Sequence, residues 1–73
     1  MVRLENRLRE ARTSDGRTQE DLARAVGVTR QTVLAIEKGG YEPSVRLALL
    51  LARELAVSVD DLFWLAGAKG RRA

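Results

Sequence analysis

The sequence predicts an all-α domain of five short helices, and three observations predict it. Glycines and the single proline cut the 73 residues into segments whose apolar side chains recur every three to four positions, the period of a helix buried on one face. Hydroxyl residues stand immediately before most of these segments, at Thr18 and Ser58 with an aspartate three positions on, as helix N-caps require. No run of alternating β-branched residues is long enough for a real sheet.

The first helix is predicted over about Leu4 to Thr13, with Leu4, Leu8 and Ala11 on one face, until Ser14-Asp15-Gly16 break it. Thr18 opens the second, in a capping box with Asp21. Leu22, Ala23 and Val26 form its buried stripe, and Gly27 ends it as a residue free to turn left-handed. Thr29 caps the third helix, with Val28 and Val33 placed as a hydrophobic staple, and Gly39-Gly40 stop it after Lys38. Pro43-Ser44 starts the fourth. From Val45 to Leu55 it is apolar on nearly every side, which predicts a central, enclosed helix. Ser58 and Asp61 open a short fifth helix through Leu62 and Phe63. Residues 1–66 are therefore read as one domain, and 67–73 as a flexible basic tail.

Composition excludes several functions. A chain of this size buries only about 60% of its unfolded surface, so its core is thin and a partner copy is an expected support. There is no cysteine and no histidine, which removes disulfides, thiolate or imidazole metal sites, thiol nucleophiles and histidine catalysis. No apolar run approaches the ~20 residues of a membrane span, and MVRLENRLRE has the character of neither a signal nor a transit peptide. The expectation is a cytoplasmic, nucleoid-associated protein with no cofactor and no small-molecule ligand. Glu20-Asp21 and Asp60-Asp61 are adjacent carboxylates that diverge on a helix and contain caps, so no enzyme is expected. The net charge is +3 and the sequence pI near 10.2, mildly basic, as a polyanion binder or an arginine-rich solvated surface would be.

Thr18 to Lys38 is the informative stretch: two short helices joined by a tight turn at Gly27, a helix-turn-helix. With Val33 and Ile36 inward, a helical wheel points Gln31, Ala35 and Lys38 outward, with Thr32 and Leu34 on the flanks and Arg30 in the first turn. Arginine and glutamine are suited to bidentate readout of guanine and adenine edges in a major groove. Thr18, Gln19 and Thr29 lie at helix N-termini, where amide, hydroxyl and backbone N–H groups hold phosphate oxygens. Spacing alone leaves a second reading open, in which Arg30, Gln31 and Thr32 are solvated residues of an ordinary helical hairpin.

TQEDLARAVGVTRQTVLAIEKGGYEPSVRLALLLARELAVSVDDLF resembles the lambda-repressor-like (Cro/CI, XRE-type) helix-turn-helix regulators, and the resemblance runs from about Leu4 to Phe63. It implies a five-helix DNA-binding domain and a transcriptional regulator of double-stranded DNA. The family's phosphate-clamping glutamine falls on Gln19. Its base-reading positions fall on Arg30, Gln31 and Ala35, with Thr29 and Thr32 near the backbone or a thymine methyl. Its buried ion pair falls on Arg12 and Glu37, where the wheel leaves Glu37 beside the inward face. Three departures stand out. Arg17 replaces a customary leucine or methionine, Ala56 stands where a glycine commonly ends helix four, and Ala35 is too short for hydrogen-bonded readout. Leu34, expected exposed, is left as a methyl reader or a partner contact.

Residues 13–38 carry Arg17, Arg24, Arg30 and Lys38 against Asp15, Glu20, Asp21 and Glu37, no net charge at all. Tight binding by one copy through counterion release is therefore not expected, and two copies on a palindrome would double the phosphate contacts. Phe63 is expected inward. Trp64 and Leu65 have no evident place in so small a core, and with Phe63 they form the expected homodimer surface. The alternative is a tryptophan half-exposed against its own domain. The resemblance also implies a short pairing of the chain ends, Val2-Arg3 with residues 63–66. The leading reading is a homodimeric repressor on a palindromic operator. The alternative is an antitoxin or other protein-interaction module whose partner, such as a toxin, occupies the C-terminal surface.

Overall fold

The computed structural model describes residues 2–67, so the basic tail beyond Gly67 lies outside the described residues. In chain order the elements are β1 (Arg3–Asn6), α1 (Leu8–Ser14), α2 (Gln19–Val26), α3 (Arg30–Glu37), α4 (Val45–Glu54), α5 (Val59–Leu62) and β2 (Phe63–Ala66). The five helices stand in the predicted order, and the small chain-end pairing is present.

Two boundaries differ from expectation. Helix one begins at Leu8, not Leu4, because the backbone of residues 3–6 is committed to an antiparallel ladder with β2, pairing Arg3 with Ala66 and Asn6 with Phe63. β1 thus starts at Arg3 and omits Val2. Asn6 closes the strand: its Oδ1 accepts from the Leu8 N–H at 2.9 Å and its Nδ2 donates to the Ile36 carbonyl at 3.0 Å. One side chain therefore starts α1 and ties it to the end of α3. Phe63 opens β2 and does not extend α5, and the Arg7 N–H donates to the Leu62 carbonyl where the two chain ends meet.

The caps form as the hydroxyl positions predict. Thr18, Thr29, Ser44 and Ser58 each accept from the backbone N–H three residues on. Thr18 and Asp21 make a reciprocal box, and the Thr18 N–H holds the Asp21 carboxyl below the usual carboxylate range. That contribution is complete above the ordinary carboxylate pKa and is lost as pH falls through the lowered native value. Gly27, at φ +78°, turns the chain so that the Val28 N–H returns to the Ala23 carbonyl.

The core is one cluster in which Leu8, Leu22, Val33, Ile36, Leu51 and Leu62 are essentially inaccessible, with Phe63 and Val28 packed against it. α4 corrects the prediction of an enclosed helix. Leu47, Leu51, Ala52 and Leu55 face the core, but Val45 and Leu49 are 77% and 53% exposed. The neighbours α2 and α5 cover only one side of it. Arg17, standing where the resemblance expects an apolar residue, bridges Glu54 at 2.8 Å and Asp15 at 3.0 Å, clamping the entry of α2 to the end of α4. These carboxylates raise its pKa above the ordinary arginine value, the Glu54 hydrogen bond most of all.

Ala56 ends α4 with φ +57°, as the missing glycine implies. A left-handed alanine costs about 1–2 kcal/mol, part of which glycine's extra unfolded-state entropy cancels. Ala56→Gly should therefore raise stability by about 0.5–1 kcal/mol, read as a higher urea midpoint at unchanged slope.

Candidate nucleic-acid interface

α3 is held by its inner face and presents the rest. Val33 and Ile36 are buried, while Arg30, Gln31 and Lys38 are exposed and Thr32 and Ala35 half-buried. Leu34 is half-buried too, which corrects the expectation of a fully exposed flank. Thr29 caps the helix, its hydroxyl accepting from the Thr32 N–H at 3.3 Å and lying 3.2 Å from the Thr32 hydroxyl. Thr18, Thr29 and Lys38 are all solvent-accessible, at the starts of α2 and α3 and the end of α3.

Beneath this face lies a chain of charged and polar contacts. Glu37, on the last turn of α3, has a side chain only 5% exposed, and Arg12 of α1 is 10% exposed beside it. The Arg12 Nε donates to one Glu37 oxygen at 2.7 Å and its second amino group to the other at 3.4 Å. Arg12 also donates to the Arg17 carbonyl at 2.8 Å, so the same guanidinium fixes the loop into α2. The ion pair implied by the resemblance is therefore formed, and it does more than pair charges.

The chain continues outward through Gln19. Its Nε2 donates to Glu37 Oε1 at 3.0 Å, and its Oε1 accepts from the Arg30 guanidinium at 3.0 Å. Only this amide orientation serves both neighbours, since Glu37 can only accept and Arg30 can only donate. The exposed arginine at the tip of α3 is thus linked through one side chain, Gln19, to the buried Arg12–Glu37 pair. No buried side-chain nitrogen or oxygen among the described residues lacks a partner.

Sequence reasoning placed Gln19 and Arg30 on the same surface but not in contact with each other. The available signal was positional: each is the first residue of its helix, on the two helices of the motif. It also missed Asn6 and the Arg17–Glu54 clamp, which position α1 and α2. At the other end of the molecule, Trp64 is half-buried with Arg7 5.5 Å over its ring, while Leu65 is 51% exposed. Phe63 packs partly on the core, as expected. Among the described residues no helix is long and apolar enough to cross a membrane.

A family model described as helix-turn-helix matches residues 8–62, most of the chain. The chain belongs to the helix-turn-helix family. Members of this family are DNA-binding transcriptional regulators without enzymatic activity, and the XRE-type resemblance holds. An uncharacterized HTH-type transcriptional regulator of Bacillus subtilis, YgzD, is 48% identical over 62 residues, 85% of this chain and 94% of the relative. Another, from Methanocaldococcus jannaschii, is 47% identical over 60 residues, 82% of this chain and 91% of that one. Among solved structures, the restriction-modification controller protein C.AhdI of Aeromonas hydrophila is similar, with a TM-score of 0.70 at 37% identity. That alignment covers 74% of this chain and 78% of the other. The clp gene regulator ClgR of Corynebacterium glutamicum aligns at a TM-score of 0.71 and 33% identity, over 74% of this chain and 57% of its own.

Removing one partner of a buried, hydrogen-bonded ion pair leaves the other charge desolvated, at a cost of about 3–5 kcal/mol. Arg12→Ala and Glu37→Ala should each lower unfolding free energy by about that amount. The double variant should cost far less than the sum, as denaturant titration of all three proteins would show.

Proposed function

We propose that this helix-turn-helix regulator is a homodimeric repressor that reads a palindromic operator through the major groove. The observation that carries the reading is the Arg30 side chain, exposed on the tip of α3 yet held by Gln19. A reading arginine that is already oriented loses less rotamer freedom when it meets a base edge.

In this reading Arg30 and Gln31 supply hydrogen-bonded readout, and Thr32, Ala35 and Leu34 lie within reach of thymine methyls. Thr18, Thr29 and Lys38 contact the phosphates. Gln19 joins them with the second hydrogen of its Nε2, the first being engaged by Glu37. The balanced charge of residues 13–38 favours two copies over one, because affinity then draws on both sets of phosphate contacts. Phe63, Trp64 and Leu65 on β2 are the proposed dimer surface. Exposed Leu65 and Val2 beside a two-stranded sheet with open edges support it. The two recognition helices would enter successive major grooves about 34 Å apart, and the bound dimer would block polymerase sterically.

Selection of duplexes from a random pool should enrich an inverted repeat with half-sites about one helical turn apart. On that operator Arg30→Ala should weaken binding by ~1–3 kcal/mol and relax preference at one base pair per half-site. An unenriched pool, or uniform weakening on every sequence, would overturn the reading.

A further inference from the structure

We propose that the outward face of α4 is a docking site for an acidic amphipathic helix of a partner protein. This surface is separate from the DNA-reading residues and from the proposed dimer surface on β2. Arg46, Leu49, Leu50 and Arg53 form an open patch on the outward face of α4, with Val45 extending its apolar part by one turn. Their spacing of i, i+3, i+4 and i+7 makes one stripe along a single helix face, roughly 10 Å long at 1.5 Å per residue. Such a stripe is the ridge that a second helix packs against.

Val45 and Leu49 are 77% and 53% exposed, large apolar side chains that the domain's own core leaves uncovered. At each end of the leucine pair stands an arginine. The ion pairs among the described residues engage Arg3, Arg12, Arg17 and Arg24, and neither Arg46 nor Arg53. The only acid on α4, Glu54, is already bridged by Arg17.

Charge decides the occupant. A second copy docked symmetrically on this face would set arginine against arginine with no free α4 carboxylate to offset them. A phosphate backbone would satisfy the arginines but leave Leu49 and Val45 facing solvent or polar oxygen. A helix with apolar residues on one stripe and aspartate or glutamate at its margins satisfies both. The expected ligand therefore carries acids about seven residues apart around a leucine-like pair.

The test is display selection of helical peptides, two turns randomised, against the full-length protein and against its Arg46→Glu/Arg53→Glu variant. Both arginines are exposed and unpaired among the described residues, so the variant should fold, as circular dichroism would verify. The wild-type pool should be enriched in acids flanking apolar residues, and the variant pool in lysine and arginine. A peptide selected on the wild type should bind at least tenfold more weakly to the charge-reversed variant and to Leu49→Gln. Duplex DNA affinity should be unchanged in Leu49→Gln and in the neutral Arg46→Gln/Arg53→Gln variant, apart from the uniform weakening that two lost charges bring. Selection without acid enrichment, or peptides indifferent to the charge reversal, would overturn the proposal. So would a salt dependence of DNA binding that loses about two phosphate contacts in Arg46→Gln/Arg53→Gln, which would make the arginines phosphate ligands. Dissociation of a dimer by Leu49→Gln would likewise assign the face to a second copy.

Discussion

A carboxylate taken out of water must be matched by donors, and in this protein that requirement falls on Glu37. Its side chain is 5% exposed, and three donors converge on it: two from Arg12 and one from Gln19. Those donors come from α1 and α2, while Glu37 itself sits at the end of α3. Three helices therefore cannot shift independently without stranding a buried charge, at a cost of several kcal/mol. The exposed tip of α3 inherits this rigidity, because the last member of the chain is Arg30.

The remaining structure supports that arrangement in a chain too small for a deep core. Asn6 joins the β1–α1 junction to the Ile36 carbonyl, next to Glu37 in sequence. Arg17 ties the loop gripped by Arg12 to the end of α4. The two-stranded sheet pairs residues 3–6 with 63–66, sets Phe63 against the core and leaves Leu65 and Val2 exposed. Core leucines exclude water, while polar side chains set the relative positions of the helices. The first provide most of the free energy and the second most of the geometry.

Much of this was legible in the sequence because it is local. Thr18-x-x-Asp21, Gly27, Thr29 and Ser44 act within four residues of themselves, so spacing alone placed α2, α3 and the start of α4. Leu4 was misread because its i, i+4 relation to Leu8 fits a helix equally well, and only pairing with residues 63–66 decides otherwise. α4 was misread for a related reason: hydrophobicity all round does not say which neighbours exist to cover it. At the site, the wheel gave the buried Val33 and Ile36 and the exposed Gln31 and Lys38 but not the half-burial of Leu34 and Ala35, and the resemblance supplied Arg12 and Glu37. The Gln19–Arg30 contact did not follow, since it depends on the angle between two helices and on the reach of a long side chain.

That contact is where structure and reading meet, and a double-mutant cycle measures it. Affinity for one operator duplex at fixed salt would be determined for the wild type, Gln19→Ala, Arg30→Ala and the double variant. If Gln19 acts by orienting Arg30, the single losses overlap and the cycle shows a coupling of about 1 kcal/mol or more. Losses that add to within about 0.3–0.5 kcal/mol would show two independent DNA contacts, and the claim that the buried ion pair organises the reading head would fail.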